Sequence, residues 1–372
     1  MNKIFRSFKP IMNCDKMTNV VKVGILGCGF MGQIHLMNFL KCRNCKVVAV
    51  CDKKKKLVKM IAEKWKIPKY YYSHIDMAED KEIDAVAIIT NDHLHAPLST
   101  VFMKSGKHVF VEKPIATTSE DAKEMVRVSE KYGVILMVAY MKRYDTGIEK
   151  AKEVLQEILQ SGRLGDIISV RVHDYGGDWI CNFSEPILKT DEPYPQFTKR
   201  FPKWLPEDER ERYYAFNNIF CHDINLMRYF LGNPKEILFT NFTKGVSNIT
   251  VFDYETYNVV LETGFYKHKK AIWDETVEIY FDKGWLKVEV SPPLLINVPA
   301  RVIVYEADSG IREIQVEKDW AFRREVEHFI NCILNDVEPK SSGKDSLIDI
   351  EIVENIFKKF LKIKGEKLEN LS

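Results

Sequence analysis

Gly27-Cys28-Gly29-Phe30-Met31-Gly32 follows the apolar run Val23 to Leu26 and opens a helical stretch from about Gln33 to Lys41. A strand that runs straight into a helix suits that pattern. The first glycine permits a tight turn, the second lets the backbone approach a pyrophosphate, and the third lets helix and strand pack closely. The helix start then offers unpaired N–H groups and the positive end of its dipole to phosphate. Asp52 stands 20 residues after Gly32, at the end of the second apolar run. A carboxylate there accepts hydrogen bonds from ribose hydroxyls and repels a 2'-phosphate. String and acid together imply a dinucleotide site and favour NAD. The basic run Lys53 to Lys56 keeps NADP as the alternative, because a cation beside the acid can hold a 2'-phosphate.

From residue 21 to 139, short β-branched runs alternate with helical stretches, which predicts a doubly wound parallel α/β sheet. Strands are expected at Val21 to Leu26, Val47 to Cys51, Tyr70 to Tyr72, Ala85 to Ile89, His108 to Val111 and Ile135 to Val138. After Arg143 an amphipathic helix, about Thr146 to Ser161, gives way to strand-like runs: Ile167 to His173, Lys235 to Phe242, Tyr257 to Leu261, Thr276 to Phe281, Trp285 to Val290, Val302 to Tyr305 and Ile311 to Val316. Strands with few helices between them predict an α+β second domain with a largely antiparallel sheet. The segment Asp174 to Phe216 has no period and reads as a functional loop. Two helices, about Ala321 to Asn335 and Leu347 to Lys362, close the chain. The expected organisation is a tail over 1–19, a dinucleotide-binding domain over 20–143, a substrate and oligomerisation domain over 144–345, and a C-terminal helix and tail over 346–372. An open sheet must bury its outer face, so a homodimer or homotetramer is expected.

With 55 basic and 53 acidic side chains the net charge is +2, which gives no polyanion footprint and argues against a nucleic-acid partner. Apolar runs such as Val134 to Ala139 fall far short of the ~20 residues that span a bilayer, so no membrane partner is expected. Met1 to Asn19 carries Lys3, Arg6, Lys9 and Lys16 without the apolar core of a secretory signal. The eight cysteines show no disulfide rhythm, which fits a reducing cytoplasm. Cys42 and Cys45 form a CxxC with no second pair at zinc-ligand spacing, so no metal is expected.

Gly106-Lys107-His108-Val109-Phe110-Val111-Glu112-Lys113-Pro114 resembles the GKHVxxEKP string of the Gfo/Idh/MocA oxidoreductases. Further matches follow in that family's order. Thr90-Asn91-Asp92-His93-Leu94-His95 is similar to its TPNxxH, with Asn91 where the family has proline. Arg143-Tyr144 resembles its Arg-aromatic pair, Gly162-Arg163-Leu164-Gly165 its GxIG turn, and Cys221-His222-Asp223-Ile224-Asn225-Leu226 its GxHxIDL. The resemblance covers nearly the whole chain. It implies an N-terminal Rossmann domain, a second domain with a large open sheet, and an active site between them that oxidises or reduces a carbinol carbon on a sugar, polyol or related small molecule. Two other readings stay open: a redox-neutral, glycoside-cleaving enzyme that retains its NAD, and a non-enzymatic cofactor-sensing regulator.

Hydride transfer needs a base for the substrate hydroxyl and a group that stabilises its developing negative charge. By resemblance, Lys113 hydrogen-bonds the reacting oxygen, a cis Lys113-Pro114 bond aims it at the nicotinamide, and His222 takes the proton. The cofactor set is Gly27, Gly29, Phe30, Met31, Gly32, Asp52, Thr90, Asn91, His95, Glu112 and Lys113. Arg143, Asp174 and Trp179 are expected at the substrate. His35 reads as a packing residue. One departure matters. Four residues before the histidine the family commonly has an aspartate, and this chain has Asn218, on the same helical face as His222. Asn218 can hydrogen-bond a hydroxyl but cannot supply a carboxylate. Asp174 or Asp223 could replace it.

Overall fold

The β-branched runs of the first 140 residues are buried on both faces, as parallel strands covered by helices must be. The computed structural model describes residues 20–181, 183–268 and 272–365; the tails expected at 1–19 and beyond 365 lie outside them. In the first domain the strands are β1 (Val21–Leu26), β2 (Cys45–Cys51), β3 (Lys69–Tyr71), β4 (Ala85–Ile88), β5 (His108–Glu112) and β6 (Leu136–Ala139). They alternate with α1 (Phe30–Lys41), α2 (Lys55–Trp65), α3 (His74–Glu79), α4 (His95–Lys104) and α5 (Ser119–Tyr132). The sheet order is β3-β2-β1-β4-β5-β6, all parallel. The order reverses between β1 and β4, and the crevice beyond their carboxyl ends is where such a sheet binds its ligand.

The second domain opens with α6 (Thr146–Ser161), whose N-terminus is capped by Asp145, and β7 (Ile167–Gly176). After α7 (Arg210–Leu231) come β8 (Glu236–Phe242), β9 (Asn248–Asp253), β10 (Asn258–Phe265), β11 (Asp274–Phe281), β12 (Gly284–Glu289), β13 (Arg301–Glu306) and β14 (Gly310–Ile314). Their order is β14-β13-β12-β11-β7-β10-β9-β8, antiparallel except where β7 meets β10. The expected α+β architecture is present. α6 packs on β12 and β13, and α7 on β7. The opposite face carries ion pairs: Arg171 with Glu262 and Glu278, Lys287 with Glu278 and Glu289, Arg301 with Glu289 and Glu313. Exposed Phe239, Ile249 and Tyr280 stand among them on the same face.

Three elements differ from expectation. β9 was not foreseen, because its Asn248 and Asp253 ends read as turn residues. α7 starts at Arg210, inside the segment read as loop. Charged Arg210, Glu211 and Arg212 hide its period, while Tyr213, Phe216, Asn217 and Phe220 keep i, i+3, i+4, i+7 spacing on the buried face. The irregular segment therefore ends earlier. Lastly, α8 (Ala321–Asn335) leaves the second domain and packs on α1 and β1, where Val326, Phe329 and Ile330 join Val23, Ile25, Phe39 and Phe110 in one apolar cluster. α9 (Gly343–Lys364) packs against α5, α7 and β8 and so ties the two sheets together. A boundary at 345/346 falls inside that continuous helix. No helix among the described residues is long and apolar enough to cross a membrane.

Candidate active site

A cavity of about 1140 Å³ lies at the carboxyl ends of β1 and β4 and extends between the two sheets. Its first end is the glycine turn. Gly27 has φ +98°, and a Cβ there would stand 2.0 Å from the Ile89 carbonyl oxygen; one on Gly32 would stand 2.0 Å from the Gly27 oxygen. Only glycine fits either place. A Cβ on Gly29 would meet nothing within 4 Å, so the backbone there is open to the cavity. The N-terminus of α1 follows directly. Asp52 accepts from the Cys28 N–H at 2.7 Å and the Lys54 N–H at 2.8 Å, which fixes its carboxylate at the cavity wall. Open backbone, free helix start and a fixed acid fit a dinucleotide.

The segments 177–181 and 183–197 cross this end as a strap. Gln33 on α1 accepts from Leu188 N–H at 2.8 Å and donates to Leu188 O at 2.9 Å, so one side chain clamps the strap's main chain. Trp179 and Phe183 meet Phe30 edge-on at 5.8 and 6.2 Å. Phe30, Met31, Trp179 and Leu188 line the cavity, as do Thr90 and Asn91.

At the other end, Lys113, Asn218 and His222 line the same cavity. The Lys113-Pro114 bond is cis, as the resemblance implied. Lys113 Nζ donates to the main-chain oxygen of Asn218 at 2.7 Å, which joins the end of β5 to α7. Behind it, Glu112 accepts from His35 at 2.8 Å and from the Lys113 N–H at 2.9 Å. Burial works against the Glu112 charge, but the His35 hydrogen bond wins and holds the carboxyl below its usual range. His35 is thus more than packing. His222 is half-buried, with its Nδ1 buried and unpartnered among the described residues. Burial first, then the Lys113 and Lys142 ammonium groups, hold its pKa well below 6.5. The ring is neutral at pH 7 and free to accept a proton.

Asn218 lines the cavity with His222 and takes its partner from another element. Its Nδ2 donates to Asp92 Oδ2 at 2.7 Å, so the amide pairs with a buried carboxylate across the cavity. A second set of acids lies deeper. Asp174 on β7 and Glu275 on β11 are cross-strand partners, and Asp223 of α7 meets them from above. All three are buried, and one oxygen of each lies within 4.8 Å of the others. Lys142 Nζ stands 2.5 Å from Glu275 Oε1, so this group already holds a cation. Burial and mutual repulsion raise Asp174 well above the usual carboxylate range; burial raises Asp223 and takes Glu275 to about 7, against the pull of Lys142. Three carboxyls around one ammonium cannot all ionise, and the group shares protons. Asp174 lines the cavity.

Two expected residues lie elsewhere. Arg143 is buried outside the cavity lining, with its guanidinium spent on Asn225, Lys340 O and Asp345. Lys142, the residue before it, takes the place at the cavity. His95 does not line the cavity either; its Nδ1 donates to Pro114 O at 2.7 Å and supports the strand ends from behind. The sequence reading also missed Asp92, Glu275 and Gln33. Only Asp92 had a local signal, as the third residue of the TNDH string.

Residues 21–140 match the family model of the oxidoreductases with an NAD-binding Rossmann fold, GFO_IDH_MocA. The chain is 24% identical over 343 residues to the myo-inositol 2-dehydrogenase of Thermotoga maritima, a match covering 87% of this chain and 92% of that one. It is also 24% identical over 298 residues to the NADP-dependent D-xylose 1-dehydrogenase of Haloarcula marismortui, covering 77% of this chain and 75% of that one. Among solved structures, levoglucosan dehydrogenase with NADH and levoglucosan superposes with a TM-score of 0.72 at 18% identity, over 92% of this chain and 97% of that one.

Proposed function

The chain belongs to the Gfo/Idh/MocA oxidoreductase family through its NAD-binding Rossmann domain, residues 21–140, and from that premise we propose that it moves hydride between nicotinamide and a carbinol carbon of a sugar or polyol. The observation that carries this reading is the meeting of Lys113 and His222 in one cavity with the glycine turn and Asp52. When bound, the nicotinamide supplies or accepts the hydride. Gly27, Gly29, Gly32, Asp52, Thr90 and Asn91 hold the dinucleotide, and Phe30, Met31 and the strap cover it.

Lys113 donates a hydrogen bond to the substrate oxygen and steadies the charge that builds there. His222 accepts the hydroxyl proton on its neutral ring. That ring resists a lasting positive charge, since burial and two ammonium groups oppose it, so the proton leaves to water in the cavity that His222 lines. Asp174 stands in for the aspartate that position 218 lacks: its carboxyl, held towards the protonated form by burial and the neighbouring acids, binds the neighbouring hydroxyls, with Asp223, Glu275 and Lys142 behind it. The relatives named above act on inositol and xylose, which is the polyhydroxylated class this lining suits. Both acid–base groups are retained, which disfavours a pure cofactor sensor. The assembly is a homodimer or homotetramer, and light scattering at micromolar concentration tests that part; a monomeric mass contradicts it.

The test of the activity is a screen of inositols, aldoses and sugar phosphates with NAD and NADP, followed at the reduced-nicotinamide absorbance. Formation of reduced cofactor with a polyol supports the reading. Turnover without any net change in cofactor points instead to the redox-neutral alternative.

A further inference from the structure

Glu192 lies in the strap, 135 residues beyond the helix it caps. One of its oxygens accepts from the Lys56 N–H at 2.9 Å and the other from the Leu57 N–H at 3.1 Å, both in the first turn of α2, and Thr190 Oγ1 donates to it at 2.9 Å. α2 starts three residues after Asp52, and Glu192 and Asp52 line the same end of the cavity. The strap takes up two cations of the basic run as well. Lys54 Nζ sits 3.7 Å above the Tyr194 ring, and Lys56 faces Asp191 at 3.5 Å. Lys53, Lys54 and Lys189 line this end of the cavity together with Asp52 and Glu192. Of the groups that could hold a 2'-phosphate, the helix start and two of the four lysines, Lys54 and Lys56, are thereby engaged by the strap's own anions and aromatic ring.

We propose that Glu192 is a specificity-determining residue that excludes NADP: its carboxylate occupies the anion place at the α2 N-terminus and makes the strapped site selective for an adenosine ribose with a free 2'-hydroxyl. The inference rests on the cofactor assignment above. It gives the strap a function beyond coverage, because the discrimination comes from the second domain and only partly from Asp52. An anion set against an unwanted anion is a repulsive device, and such devices act on the rejected ligand more than on the accepted one.

Calorimetric titration of the full-length protein with NAD, NADP, AMP and adenosine 2',5'-bisphosphate tests it. The unaltered protein binds NAD more tightly than NADP by about tenfold or more. Glu192→Ala and Glu192→Gln each shift the balance towards NADP and the bisphosphate, relative to NAD and AMP, by about fivefold or more, whatever loss from a looser strap the ligands share. Tyr194→Leu, which frees Lys54 and leaves Glu192 in place, gives a smaller gain of the same sign and serves if the Glu192 variants do not fold. An unchanged NAD-to-NADP ratio in the folded Glu192 variants overturns the proposal, and so does an NADP preference in the unaltered protein. If the unaltered protein binds neither dinucleotide, the cofactor reading itself fails with it.

Discussion

The two ends of the cavity are built from different material. At the reacting end, Lys113 closes a strand, His222 rides a 22-residue helix, and the groups behind them, Glu112, Asp174, Asp223 and Glu275, are buried. At the adenosine end, much of the polar surface comes from an irregular strap whose Asp191 and Tyr194 are exposed. Tight packing holds a catalytic group within a fraction of an ångström, which proton and hydride transfer require. Choosing between two cofactors needs only a charge in the right neighbourhood, and an irregular segment supplies that.

The contrast breaks first at Lys113. Lys113→Ala should lower turnover by ~10³-fold or more while NAD affinity stays within about threefold, because the ammonium acts on the reacting oxygen and not on the adenosine half. Steady-state kinetics beside calorimetry separates the two, and a loss of NAD binding that matches the loss of rate would erase the division between the ends.

His222→Ala should cost roughly 10²-fold. In the unaltered enzyme the acid limb of the pH–rate profile should lie below pH 6.5, since the ring's pKa is depressed. The sign for stability is the same. A depressed histidine pKa contributes stability that is present above the unfolded value and lost as pH falls through the folded one. An acid limb above pH 7 contradicts the assignment.

Asn218→Asp sharpens the comparison, because it adds a carboxylate at the reacting end without new burial. The amide now donates to Asp92, so the variant sets two carboxylates against each other and raises the pKa of one. That contribution is harmless where the pair holds its proton and destabilising once pH rises through the raised value. The melting temperature should fall relative to the unaltered protein most at about pH 8 and least near about pH 5. An upward shift of the acid limb instead would show that residue 218 turns to His222, as its helical position alone suggests.

The smallest effect belongs to the strap. Gln33→Ala removes both hydrogen bonds to Leu188 and should weaken NAD by about threefold to tenfold, about one to two net hydrogen bonds' worth, with turnover at saturating NAD little changed. Stopped-flow release of NAD should be faster to match. Unaltered affinity and release would mean that the strap plays no part in holding the cofactor.

Much of this was legible in the sequence, and for stated reasons. The glycine turn, Asp52 and the end of β5 are short-range features, written in contiguous residues whose spacing is their chemistry. The strands of the first sheet could be read as short continuous apolar runs, buried on both faces, and those of the second from period-2 alternation; β9 was missed because its ends carry turn-forming residues. The start of α7 was missed because three charged residues precede its buried stripe. The partner of Asn218 could not be read because a shared helical face fixes only a direction, while the partner is chosen by what approaches from another element.

What the sequence determined by itself is therefore the doubly wound domain, its nucleotide turn and the choice of Lys113 and His222 as candidates, because these are read from strands, turns and motifs a few residues long. Tertiary structure alone decided which carboxylates gather around Lys142, that Lys142 and not Arg143 reaches the cavity, and that Glu192 comes to rest on α2. Those outcomes rest on hydrogen bonds between residues 82 to 197 positions apart, and no local pattern specifies the partner at such a distance. The partner follows from sheet order, helix packing and the closing of the strap, where burial and charge pairing are settled together.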